Sequence, residues 1–181
     1  NIIENNAVVE NREKLIENLK KELGNKLIND LSEIGFSLKN FLNRKNVRFV
    51  DRLDNWEEGI QKSGEIRVQN KITKEKYVKE MIKTVKKFGA YIVIEEGIAI
   101  PHASISENVL KTGVGMLIVK EKVTFPNGKG ANIFLSFATT DKSGHEVILK
   151  DLFELITKYE FIEKISNITN YNELQRYYVA E

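Results

Sequence analysis

Two histidines occur in this 181-residue chain, and one stands in the heptapeptide Gly97-Ile98-Ala99-Ile100-Pro101-His102-Ala103. An apolar run from Tyr91 to Ile94 leads into it, and a second, Ile98 to Ile100, stops at the proline. Pro101 donates no backbone hydrogen bond, so a strand is expected to end there. That puts His102 at the rim of a sheet, where α/β proteins keep their binding crevices. An unperturbed imidazole has a pKa of about 6.5, so much of it is neutral and nucleophilic near neutral pH. Its nitrogen can take and release a phosphoryl group. The protein then has to supply positioning and charge stabilisation. A histidine buried for packing, or simply exposed, is the competing reading of each of these residues.

The second histidine has its own local signal. Ser143-Gly144-His145-Glu146 fits a capping box with Ser143 at the N-cap and Glu146 three residues on, which makes His145 the second helical residue. A helix N-terminus presents free N–H groups and a partial positive charge, and so favours an anion. It disfavours a protonated imidazole, while Asp141 and Glu146 push the other way. If strands at 98–100 and 132–138 are parallel neighbours, both histidines lie at one edge of the sheet. Such a pair suits phosphoryl transfer without a metal. A zinc site is poorly supported, because no HExxH or comparable spacing exists. A serine hydrolase is poorly supported too, because no G-x-S-x-G occurs. With no cysteine, disulfides, thiolate nucleophiles and cysteine-ligated metals are excluded. No metal and no cofactor are expected.

The elements that must position these residues follow from periodicity. Residues 1–45 read as a helical lead-in, with Leu15, Ile16, Leu19, Leu23, Leu27, Ile28 and Leu31 at helical spacing, interrupted at Gly24-Asn25 and Gly35. Val47 to Val50 reads as a short strand or docked extended segment. Asp54, with Glu57 three residues later, is expected to cap a helix that buries Trp56 and Ile60. Thr73 is expected to cap the next, whose stripe is Tyr77, Val78, Met81, Ile82, Val85 and Phe88, with Gly89 as its stop. Strands are expected at 91–94, 98–100, 113–119 and 132–138, the last apolar on both faces and so central. Asn127-Gly128 is a turn signal before it. Residues 141–181 read as helical, with Val147, Ile148, Leu149, Leu152, Phe153, Leu155 and Ile156 as a first amphipathic run and Tyr171 to Tyr178 as a last helix. The order predicts an α/β fold: a three-layer sandwich in which helices flank a mixed β-sheet, preceded by a helical extension.

Composition bounds the function. An apolar fraction of 41% suffices for a core. Net charge is +2; residues 1–50 hold nine Lys/Arg against seven Asp/Glu, and the rest hold nineteen of each. That balance argues against direct nucleic-acid contact. No run approaches the roughly 18–20 apolar residues of a membrane span, and the start carries no signal-peptide pattern. The chain begins on Asn1 and is expected to be a piece of something longer.

The heptapeptide resembles the active-site motif of the IIA domains of the bacterial phosphoenolpyruvate-dependent sugar phosphotransferase system, mannitol/fructose type. Trp56-Glu57-Glu58, Ile72-Thr73 with Tyr77-Val78 and Met81-Ile82, Tyr91-Ile92-Val93-Ile94, and Val109-Leu110-Lys111 followed by Gly113 resemble the ascorbate-like branch. The resemblance covers residues 50–181, leaving residues 1–49 as a linker or the end of a preceding IIB-like domain. It implies a cytoplasmic domain in which His102 accepts a phosphoryl group on Nε2 from phospho-HPr and passes it to a cysteine of a IIB domain. It also implies that His145 assists without carrying the group. Two departures stand out. Many relatives have an arginine after Pro-His-Ala, where this chain has Ser104. Mannitol-specific relatives place an arginine on the strand before the motif, and none lies between Tyr91 and Gly97. Phosphoryl charge would then fall to Ser104, to backbone N–H groups such as those around Ser143 and Gly144, or to a partner. The same domain closes regulators resembling mannitol-operon activators and antiterminators. The first expectation is therefore the C-terminal domain of such a regulator, reporting sugar-transport flux. A free-standing transport component and a degenerate protein-contact domain are the alternatives.

Overall fold

In the computed structural model, residues 42–158 and 161–179 are described. The helical lead-in expected over residues 1–45 lies outside them except for its last four residues. Five strands form one mixed sheet: β1 (Val47–Val50), β2 (Val93–Glu95), β3 (Gly97–Ala99), β4 (Gly113–Thr124) and β5 (Gly130–Ala138). Their order is β1-β4-β5-β3-β2. β1 runs parallel to β4 and β3 parallel to β5, whereas β4–β5 and β2–β3 are antiparallel. Helices α1 (Trp56–Gln69) and α2 (Glu75–Phe88) pack on one face; α3 (Lys142–Lys158), α4 (Phe161–Ile165) and α5 (Tyr171–Val179) pack on the other. This is the expected three-layer sandwich. Val47–Val50 is a true strand, and Leu42 is buried in the core, so the sheet takes in residues on both sides of position 50.

Strand alternation sorts the core. Along β5, Ile133, Leu135 and Phe137 face α3 to α5, while Phe134 faces α1 and α2. All nine β5 residues are buried, as a central strand requires. Of the α3 run, Val147, Ile148, Leu149, Leu152 and Ile156 are buried; the side chain of Leu155 lies outside the described set. Two glycines set close approaches. Gly97, at the β2–β3 turn, has φ +100, and a Cβ there would run into Ile162 Cγ2. At Gly115 of β4 a Cβ would sit 2.5 Å from the Ser63 carbonyl, so its absence lets α1 lie close on the sheet.

Three expected caps are corrected. α1 is capped by Asn55, not Asp54: its side chain accepts the Glu58 N–H at 3.0 Å, and Glu58 reaches back to the Asp54 N–H at 2.7 Å. The capping box is real but one residue later, because Asn competes equally well for that position. α2 starts after Lys74, with no side-chain cap; Thr73 is instead buried in a bridge to Val109. α3 is capped by Asp141, whose carboxylate accepts the Gly144 N–H at 2.7 Å. Ser143 therefore lies inside the first turn, and His145 is the fourth helical residue rather than the second. Phe88, expected in the core stripe, is 48% exposed at the end of α2, under the Lys87 ammonium. The strands expected at 91–94 and 98–100 begin and end elsewhere, at 93–95 and 97–99, because Tyr91-Ile92 forms the turn after α2. Among the described residues no helix is long and apolar enough to cross a membrane.

Candidate functional site

β3 and β5 are parallel neighbours, so their C-terminal ends share one edge of the sheet. Pro101 ends β3 as its missing N–H requires, but its carbonyl still accepts the Phe137 N–H at 3.1 Å. That bond sets the next residue, His102, alongside Phe137. The two rings stack with centroids 4.9 Å apart and planes 19° from parallel. β5 leads through Thr139 and Thr140 into α3, which brings His145 over the same spot. Its ring stands edge-on to His102, centroids 5.5 Å apart, and edge-on to Phe137 at 5.1 Å. Tyr91 closes the other side, 5.8 Å from His102 at 87°. The sequence expectation that both histidines meet at one sheet edge is therefore met.

His102 is buried to 9% exposure. Its Nδ1 lies 2.8 Å from the Ile100 carbonyl, which can only accept, so Nδ1 carries the ring proton. In the neutral ring the other nitrogen, Nε2, then keeps its lone pair. Burial pushes the His102 pKa down to about 4; the Ile100 carbonyl opposes this, and the His145 and Arg67 charges add to it. Burial also lowers the pKa of His145. Both rings are neutral at pH 7. Among the described residues no three His, Cys, Asp or Glu side chains are grouped to hold a metal ion.

The remaining expected residues are less central. Ser104 is exposed beyond the ring cluster. The Gly144 N–H is occupied by Asp141, which leaves the N–H groups of Lys142 and Ser143 as first-turn donors beside His145. The loop after His102 is held by α2. The Tyr77 hydroxyl donates to the Ala103 carbonyl at 2.7 Å and accepts the Ala103 N–H at 3.1 Å. One turn on, the Glu80 carboxylate accepts from Asn108 Nδ2 at 2.8 Å and from the Ser106 hydroxyl at 3.3 Å. Sequence reasoning read Tyr77 and Phe137 as plain core and gave Arg67 no role. Arg67 could have been noticed, because it continues the buried spacing Ile60, Ser63, Gly64 along α1.

Fold and site define an α/β domain that holds a neutral, Nδ1-anchored imidazole at a strand end with a second imidazole against it. The chain belongs to the family described as phosphoenolpyruvate-dependent sugar phosphotransferase system, EIIA 2, whose model matches residues 40–179. It is thus a phosphoryl-accepting domain of the EIIA type. It is 23% identical over 126 residues to the ascorbate-specific PTS system EIIA component of Escherichia coli K12, covering 68% of this chain and 80% of that one. It is 22% identical over 138 residues to the mannitol-specific cryptic phosphotransferase enzyme IIA component of the same strain, covering 76% and 94%. The structure resembles that of the E. coli mannitol IIA enzyme solved in complex with phosphorylated mannitol IIB. The TM-score is 0.67 and the identity 24%, over 77% of this chain and 98% of that one.

Proposed function

We propose that His102 is the phosphoryl acceptor, receiving the group on Nε2 from phospho-HPr. The observation that carries this is the Nδ1 contact with the Ile100 carbonyl, which leaves Nε2 as the nucleophile. As the Nε2–P bond forms, the bond from phosphorus to the donor nitrogen breaks, and Nδ1 keeps its proton throughout. His145 is the auxiliary residue: its neutral ring stands over the site and can hydrogen-bond a phosphoryl oxygen. The N–H groups of Ser143 and Lys142, rather than that of Gly144, supply the helix-terminus charge stabilisation. Ser104, exposed on the loop, is free to meet the incoming phosphoryl group or its carrier. A IIB domain is the onward partner, as the mannitol complex suggests for its own pair.

In this reading the domain serves a sugar-responsive transcriptional regulator or antiterminator of the ascorbate-like branch, and phosphorylation reports transport flux. The near-neutral charge supports a role without direct nucleic-acid contact. A transport component in the cytoplasm is the second reading, favoured by the relatives named for ascorbate and mannitol. The test is intact-protein mass after incubation with phosphoenolpyruvate, enzyme I and HPr. One added phosphoryl group, absent from His102→Ala, is expected. No addition while HPr itself is phosphorylated would leave the protein-contact reading. A full-length gene without a DNA- or RNA-binding domain would overturn the regulator assignment.

A further inference from the structure

Arg67 of α1 is fully buried, yet none of its nitrogens meets a carboxylate among the described residues. Nε donates to the Ser136 hydroxyl at 3.2 Å, Nη2 points at the weak thioether acceptor of Met81 at 3.0 Å, and Nη1 has no partner. Its guanidinium carbon lies 5.0 Å from the centre of the Tyr77 ring. A buried, unpaired cation is costly, and a fold that needed only packing would be better served by an apolar side chain. Both of its firm contacts lead to the histidine site. Ser136 precedes Phe137, on which His102 stacks, and Tyr77 holds Ala103, which follows His102. The Ser136 hydroxyl also lies within hydrogen-bond distance of the Ser63 and Gly115 carbonyls, tying α1 and β4 to the same point.

We infer that Arg67 is a positioning residue of the phosphoryl-transfer site: from the α1 face it fixes the strand ends that carry His102 and Phe137, and it presents a permanent buried positive charge to the phosphorylated imidazole. Its own pKa falls to about 10 through burial, so it stays charged at pH 7. Its charge also disfavours protonation of His102. The groups facing Arg67 are Tyr77, through both its ring and its hydroxyl, and Met81 of α2, and Ser136 of β5. Burial raises the Tyr77 pKa, so its hydroxyl stays neutral at pH 7 and does not neutralise the cation. A phosphoryl dianion on His102 would lie in the field of this buried cation, which has no carboxylate partner among the described residues.

This inference rests on His102 as acceptor, and the experiment separates the two. Wild type, Arg67→Met and Arg67→Lys are compared by rate of phosphoryl gain from phospho-HPr, half-life of the phosphorylated form, and NMR titration of His102. Arg67→Met is expected to fold at least as stably as wild type, to gain phosphate about tenfold more slowly, and to titrate His102 at a higher pH. Arg67→Lys, which restores the charge without the planar fork, should lie between. Transfer, half-life and titration all unchanged in Arg67→Met would overturn the inference. Should that variant fail to fold, Arg67→Lys decides alone: slowed transfer supports the positioning role and wild-type transfer refutes it. If wild type takes no phosphate, the acceptor reading fails, and the His102 titration decides the role of Arg67: an upward move supports it, and none refutes it.

Discussion

The two faces of the sheet handle polar groups in opposite ways. The face under α3 to α5 is lined, among the described residues, by a continuous apolar cluster, and its chemistry sits at its end, where His102, His145 and Phe137 meet. The face under α1 and α2 carries a connected set of buried polar groups: Ser63, Arg67 and Ser136. A smooth apolar layer gives a stable platform but no field. A polar layer costs stability and can shape the electrostatics of a site it does not touch. The reactive ring thus stands on the first face while its loop and neighbouring strand are held from the second.

The comparison can be broken first at Phe137. Phe137→Ala removes a ring that is 1% exposed from the apolar face, with an expected loss of about 3–5 kcal/mol in denaturant unfolding. If the loss is below about 1 kcal/mol, the platform is not the rigid support described. The second test is pH. The folded pKa of His102 is depressed, so between about 6.5 and 4 the unfolded chain binds a proton the folded one refuses. Stability is then fully present above about 6.5 and falls with pH, by about 3 kcal/mol on reaching pH 4 from this ring alone. His102→Gln, whose amide can keep the Ile100 contact, should flatten that slope in urea melts at pH 7 and 4.5. An equal slope in both proteins would place the titration elsewhere.

On the polar face, Ser136→Ala deprives Arg67 Nε of its acceptor. It is expected to cost about 1–3 kcal/mol, and Arg67→Met in the same background should recover most of that loss. Simple additivity of the two changes would show that the serine and arginine act independently. The smallest effect is at the start of α3: Asp141→Ala loses the cap on Gly144, for about 1 kcal/mol by thermal melting. Asp141→Asn should keep most of it.

Much of this was legible beforehand, and each failure has its own physical cause. The stop at Pro101, the central strand at 133–137 and the Gly89 terminus follow from local rules on hydrogen bonding and backbone freedom, and they hold. The meeting of His102 and His145 depended on strand order, which only the parallel β3–β5 pairing settles. Two caps were displaced because Asp54 and Asn55, or Asp141 and Ser143, are near-equal competitors within two residues, and local sequence does not rank them; the third, Thr73, was drawn into its bridge to Val109. Phe137, Tyr77 and Arg67 escaped because each sits at a position whose period says core. What makes them part of a site is the tertiary partner, a stacked ring, a backbone peptide or a missing counter-charge. Phe88 shows the opposite: a helical stripe predicts a face, but not how far the opposing layer extends beneath it.

The contact between Nδ1 and Ile100 has one more consequence. A ring fixed in one tautomer ends each turnover with the same hydrogen count it began with, so phosphorus can move in either direction without waiting for a proton to leave or arrive. Exchange across His102 should therefore run at nearly the same speed in heavy water as in light water. A solvent isotope effect well above one in rapid-quench transfer would mean that the ring lets go of Ile100 during the reaction.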